Sequence, residues 1–220
     1  MISKFDQLNE LFADIDKNLT VKVHFHIIGG AVMVYHGLKP ITKDIDIVVD
    51  TQKEFIMAER ALKSMGFIAK LPTAEYTNFD LNQILIKGDF RIDLFQKSVC
   101  KGFVLSDGMK KRAIKIKALE NLTVSLCSTT DIFMFKTFTE REGDLADCIS
   151  LVQSGIEWES MIDEINKQID SSGNKGWITY IGERMDLLIE RGVNIPIIKK
   201  IDKLRDEYCE DLEKRQLSGE

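Results

Sequence analysis

Little in this 220-residue chain is specialised by composition. It holds only three prolines, two tryptophans and three histidines. Its four cysteines (Cys100, Cys127, Cys148 and Cys209) are widely spaced and form no CxxC unit. That spacing, with so few histidines, does not suggest a zinc site and reads as free thiols in a reducing cytoplasm. No run of eighteen apolar residues occurs, so no transmembrane helix and no membrane partner is expected. The opening Met1-Ile2-Ser3-Lys4-Phe5-Asp6 lacks the apolar core of a secretory signal, which again points to the cytoplasm. Basic charge is not in excess either: 30 Lys and Arg against 35 Asp and Glu leave a net charge of -5, which argues against a globally basic nucleic-acid coat. What remains is an ordinary globular composition, 44% apolar and 30% charged, long enough for one good core or a core plus a smaller helical module.

The apolar spacing predicts mixed elements first and helices afterwards. Ile2, Phe5, Leu8, Phe12, Ile15 and Leu19 step by three and four, an amphipathic helix. Val21 to Ile28 alternates as a strand, ended by Gly29-Gly30, and Ala31 to Tyr35 reads as a short buried helix. Ile45 to Val49 is a second strand, and Phe55 to Met65 a helix closed by Gly66. A short strand is expected over Phe67 to Leu71. Asn82 to Lys87 and Arg91 to Phe95 follow as a hairpin around Gly88-Asp89, with further strand inside Lys115 to Leu126. From Ser128 the pattern turns helical, over 131–154, 158–170, 177–191 and 196–215, with Ser128 and Asp131 resembling a capping box. The expectation is an α+β fold: a short mixed sheet with flanking helices over residues 1–127, then a helical C-terminal module over 128–220.

The acids stand out against this frame. Asp44 and Asp46 bracket Ile45 at the start of a strand, and Asp93 sits between Ile92 and Leu94 on a later one. Side chains two apart share a strand face, so Asp44 and Asp46 point one way while Ile45 and Ile47 point into a core. Two carboxylates about 6 Å apart repel by roughly 3 kcal/mol at an effective dielectric near 20. A cation relieves that cost, and hard carboxylate oxygens suit Mg²⁺ or Mn²⁺ together with substrate phosphates. The plainer reading is two Asp residues on the wet face of an edge strand. Gly29-Gly30, between strand and helix, lets backbone come close to an anion such as phosphate.

Gly29-Gly30, thirteen intervening residues, Asp44-Ile45-Asp46, and then Arg91-Ile92-Asp93-Leu94 together resemble the signature of the DNA polymerase β-type nucleotidyltransferase superfamily. Thr42-Lys43-Asp44-Ile45-Asp46 is similar to the small prokaryotic, AbiEii-toxin-like members. Lys136, Arg141, Asp144 and Asp147 resemble the K…R…D…D helix block that follows the catalytic sheet there. The resemblance spans roughly residues 20 to 155; the last sixty fall outside it. It implies a nucleotidyltransferase fold and transfer of an NMP from an NTP to a hydroxyl acceptor by a two-metal mechanism. Asp44, Asp46 and Asp93 would be the catalytic and metal-binding acids. Gly29, Gly30, Lys43, Lys136 and Arg141 would hold the nucleotide. The acceptor would be an RNA 3′ end such as that of tRNA, a protein side chain or a small molecule. A toxin–antitoxin role, with an antitoxin or a second copy as partner, follows from the same likeness. The rival readings are a catalytically silent nucleotide-binding or interaction protein and a metal-dependent phosphohydrolase using the same acids.

Other residues have plainer explanations. His24 and His26 share a strand face and read as sheet-surface histidines. Lys110, Lys111, Arg112, Lys115 and Lys117 form the densest basic run, suited either to guiding RNA or to protecting a strand edge. Lys136 has the alternative of an i,i+4 surface pair with Glu140. Ile197, Ile201, Leu204, Tyr208 and Leu212 predict a helix that packs on the chain's own helices, or else a dimer seam.

Overall fold

The computed structural model describes residues 2–72, 76, 79–139 and 141–218. Two compact units, Met1–Ile132 and Phe133–Glu220, divide the chain. In the first, the elements run α1 (Gln7–Asn18), β1 (Val23–Ile28), α2 (Gly29–Tyr35), β2 (Ile45–Val49), α3 (Gln52–Ser64), β3 (Ile68–Lys70), β4 (Leu81–Lys87) and β5 (Phe90–Gln96). They continue with β6 (Ser98–Cys100), β7 (Phe103–Val104), α4 (Asp107–Arg112), β8 (Ile114–Ala118) and β9 (Leu122–Leu126). The division between units falls inside α5 (Thr129–Thr137).

Seven strands form one mixed sheet in the order β3-β4-β5-β2-β1-β9-β8. The pairs β1/β9 and β2/β5 are parallel; the other neighbours are antiparallel. Registered residues share a face, so the alternation sorts the sheet into two sides. One carries Val23, Phe25 and Ile27, Ile45, Ile47 and Val49, Ile92 and Leu94, and Leu122, Val124 and Leu126, all buried. Helices α1, α2 and α3 pack against these strands and supply Leu8, Phe12, Ile15, Ala31, Val32, Ala58 and Leu62 to the same core. The opposite side carries His24, His26, Asp46, Arg91 and Asp93.

Local chemistry sets the element ends. Thr51 caps α3 with a full capping box: Glu54 N donates to Thr51 Oγ1 at 3.1 Å, and Thr51 N donates to Glu54 Oε2 at 3.0 Å. The β4–β5 hairpin turns at Gly88, whose φ is +56°. Ser128 and Asp131 do meet at the head of α5: Asp131 N donates to Ser128 Oγ at 3.2 Å, and the hydroxyl donates back to Asp131 Oδ2 at 2.7 Å.

The second unit holds α6 (Glu142–Ser154), α7 (Trp158–Ser172), α8 (Trp177–Glu190) and α9 (Ile198–Ser218). One helix expected over 131–154 is thus two. Thr137 Oγ1 donates to Met134 O at 2.6 Å and Thr139 Oγ1 to Asp144 Oδ2 at 2.7 Å, side-chain bonds that compete with the helical ladder. The β6–β7 hairpin and α4 were not legible either. The hairpin is shaped by Lys97 and Lys101 at positive φ (61° and 47°), a conformation normally signalled by Gly or Asn. No helix among the described residues is long and apolar enough to cross a membrane.

Candidate functional site

The site expected from sequence is organised by the pairing of β2 with β5. Asp46 and Asp93 are direct partners across these parallel strands, so their side chains leave the same sheet face side by side. Asp44 lies just before β2, where the Thr42 hydroxyl stands 3.4 Å from its Oδ1. Thr42 is pinned in turn by a two-way backbone bridge to Ile2, each N–H donating at 2.9 Å. Asp44 and Asp46 are half-buried, whereas Asp93 is 3% exposed.

The two glycines belong to the same structure. Gly29 has φ +68°, and a Cβ there would stand 2.1 Å from Asp46 Oδ2; at Gly30 it would stand 2.3 Å from Thr42 Oγ1. Only residues without a side chain allow the Asp46 carboxylate and the Thr42 loop to lie over the start of α2. Lys43 is exposed beside Asp44.

Asp93 has a cationic neighbour that sequence reasoning passed over. Arg91 Nε donates to Asp93 Oδ1 at 2.8 Å and Arg91 Nη2 to Asp93 Oδ2 at 2.7 Å, a two-point grip. Nη2 also donates to the Tyr76 hydroxyl, and the guanidinium lies 5.3 Å from the Tyr76 ring centroid. These bonds, with Asp93 first, push the Arg91 pKa further up. The signal was available: Arg91 and Asp93 are two apart on one strand and therefore share its face.

Among the described residues, no three His, Cys, Asp or Glu side chains form a ready metal site. The donor chemistry nonetheless fits a hard divalent ion. Asp46 and Asp93 offer adjacent carboxylates, the missing side chain of Gly29 lets the Asp46 carboxylate pack against the start of α2, and the Arg91 guanidinium stands in as the cation.

The remaining expected residues belong to the helical unit, and they hold one another. Lys136 Nζ lies 2.7 Å from both Asp144 Oδ1 and Asp147 Oδ2, and Arg141 Nε lies 2.7 Å from Asp144 Oδ2. Lys136, Asp144 and Asp147 are buried, which replaces the expected surface pair of Lys136; Glu140 itself lies outside the described residues. Burial pushes the Asp144 carboxyl up, but Lys136, together with the Thr139 hydroxyl and Arg141, more than reverses this and holds it at about 2.

One further expectation changes. His26 is buried at 2% exposure, stacked on His24 with centroids 4.0 Å apart, and its Nδ1 has no hydrogen-bond partner. The basic run is divided between α4 and β8: Lys110 pairs with Asp50 and Asp107 and Arg112 with Asp131, while Lys115 and Lys117 lie on β8 at the end of the sheet, as the strand-edge reading expects.

No protein-family model matches the chain, and no curated protein does. Among solved structures it is similar to the crystal structure of ANT(2″)-Ia, an aminoglycoside nucleotidyltransferase, in complex with adenylyl-2″-tobramycin. The TM-score is 0.52 at 10% sequence identity, covering 76% of this chain and 98% of that one. The fold is nucleotidyltransferase-like. At that identity the likeness concerns architecture: a central mixed sheet, flanking helices and a helical C-terminal region.

Proposed function

We propose that this chain is a nucleotidyltransferase that moves an NMP from an NTP to a hydroxyl acceptor. The observation that carries the reading is the registry of Asp46 with Asp93, with Gly29 packed against the Asp46 carboxylate, on this fold. Asp44, Asp46 and Asp93 would hold Mg²⁺ or Mn²⁺, and Gly29 and Gly30 would lie against the triphosphate. Such ions, when bound, neutralise phosphate charge and polarise the attacking and leaving oxygens. The acceptor hydroxyl oxygen attacks the α-phosphorus and gives up its proton to solvent, the bond to the β-phosphate breaks, and pyrophosphate leaves with that electron pair. A carboxylate held on both oxygens by a guanidinium serves better as fixed negative charge than as proton acceptor, so Asp93 is assigned to charge rather than proton transfer. Lys136, bonded to two buried carboxylates, is assigned to holding the helical unit together.

The candidate acceptors are an RNA 3′ end, a protein side chain and a small-molecule hydroxyl. The neighbour's adenylylated tobramycin makes an aminoglycoside a sensible third arm. A toxin role with an antitoxin partner remains part of the proposal on sequence resemblance alone. Incubation with α-labelled NTPs, Mg²⁺ and each acceptor class should label one fraction and release pyrophosphate, and Asp46→Asn should abolish both. Release of inorganic phosphate alone would replace the reading with a phosphohydrolase.

The Arg91 grip on Asp93 favours one second reading, a silent nucleotide-binding protein of the same fold. It predicts calorimetric binding of NTP with no pyrophosphate from any acceptor.

A further inference from the structure

Of the chain's two tryptophans, Trp177 is 2% exposed, whereas Trp158, at the start of α7, stays only half-buried. Its side chain borders a cavity of about 490 Å³ within the helical unit. Small-ligand sites run from roughly 300 to 1,000 Å³, so the space is of a useful size. Ile149 and Val152 of α6, with Val193 and Pro196 of the link between α8 and α9, supply the rest of the apolar lining. Phe133 meets the indole edge-on, with centroids 5.7 Å apart and planes at 83°, and so holds the ring in place beside the cavity. Two exposed carboxamides, Gln153 and Asn194, complete the wall. Its cation, Arg191, is already answered: Nη1 donates to Glu142 Oε1 at 2.6 Å and Nη2 to Oε2 at 3.1 Å. Among the described residues no acid lines the cavity.

An aromatic wall with amide groups beside it and no unanswered charge suits a flat, neutral heterocycle. We propose that this cavity holds an adenine base, stacked on Trp158 and read by Gln153 and Asn194. Every base offers a π-face to an aromatic side chain, and a carboxamide both donates and accepts, which matches N7 and the N6 amino group of adenine. The N7 and O6 acceptors of guanine pair best with a free guanidinium, and Glu142 has taken the one present. A polycationic sugar such as an aminoglycoside finds no carboxylate here. On the nucleotidyl-transfer reading the base belongs to an RNA acceptor, and that step alone rests on the reading; the cavity lies wholly in the helical unit.

Calorimetry on the full chain, in EDTA and without metal or NTP, tests the site with adenosine, cytidine, hexa-adenylate and hexa-cytidylate as probes. Adenosine should bind about fivefold more tightly than cytidine, and hexa-adenylate more tightly again. Equal affinity for adenosine and hexa-adenylate would keep the adenine site and overturn the RNA step. Trp158→Leu should weaken adenosine binding about tenfold. Because Trp158 also packs on Phe133, the exposed pair Gln153→Ala with Asn194→Ala is the second test: it should erase the preference for adenosine while the thermal midpoint holds. Asp46→Asn should leave every one of these affinities unchanged, so a failed transfer assay does not touch the site. Adenosine and cytidine binding equally to the native protein, neither binding, full adenosine affinity in Trp158→Leu, or an intact preference in the double variant would each overturn the assignment.

Discussion

Arg91 occupies both carboxylate oxygens of Asp93, two residues along the same strand, at 2.8 and 2.7 Å. The grip solves an electrostatic problem created by the sheet register. Asp93 is nearly sealed from water and stands beside Asp46, so without a cation its charge would be held unmatched and next to a second one. The guanidinium meets that need within the chain, with Tyr76 as its second contact.

Arg91→Met should therefore destabilise the protein by about 3 kcal/mol, because removing one partner of a mostly buried pair strands the other. Asp93→Asn should cost less, and adding it to Arg91→Met should recover most of the loss. Urea unfolding of the four proteins measures the coupling. A loss under about 0.5 kcal/mol for Arg91→Met, the range of ordinary surface substitutions, would show that the grip carries no weight.

Gly29→Ala tests the approach of α2 to β2. The added methyl group would meet Asp46 Oδ2 at 2.1 Å, at a φ of +68° that already disfavours alanine. A loss of about 1–3 kcal/mol is expected from backbone strain, and the displaced carboxylate should weaken Mn²⁺ binding measured by electron paramagnetic resonance. Gly88→Ala, at φ +56° with nothing near its Cβ, is the control: strain alone, with Mn²⁺ binding unchanged.

The sheet and its acids were legible because they obey short periods. Ile45, Ile47, Ile92 and Leu94 alternate with Asp46 and Asp93, and a period of two assigns faces without any tertiary information. Pairing was not legible, since nothing local says that residue 46 meets residue 93. The partners of Lys136 were not legible for a similar reason: its countercharges lie eight and eleven residues away, across the break between α5 and α6.

His26 makes the first unit acid-sensitive. Burial, reinforced by the neighbouring His24 and Lys110 and opposed by Asp50, lowers its pKa from 6.5 to about 4. The unfolded chain therefore takes up the proton first. Stability is full above about pH 6.5 and declines as pH falls towards 4, by at most about 3 kcal/mol. Urea midpoints across pH 7.5 to 4.5 should fall for the native protein and stay flatter for His26→Phe. Parallel curves would place the titration elsewhere.

Lys136 separates a structural reading from a ligand-binding one. Its ammonium joins Asp144 and Asp147 inside the helical unit, and removing it takes from two buried carboxylates the cation they share, leaving Arg141 on Asp144. Lys136→Met should cost about 3–5 kcal/mol. The same contact gives an acid signature: with Asp144 at about 2 when folded and 3.8 when free, its stabilisation is present above pH 3.8 and is lost as pH falls towards 2. Denaturant midpoints should show that acid limb in the native protein and a smaller one in Lys136→Met, where Thr139 and Arg141 remain on Asp144. If the lysine served a triphosphate instead, Lys136→Met would leave stability in place and weaken NTP binding measured by calorimetry. An ammonium that answers to two carboxylates at 2.7 Å would first have to give them up, and the helical unit would lose the pair that joins α5 to α6.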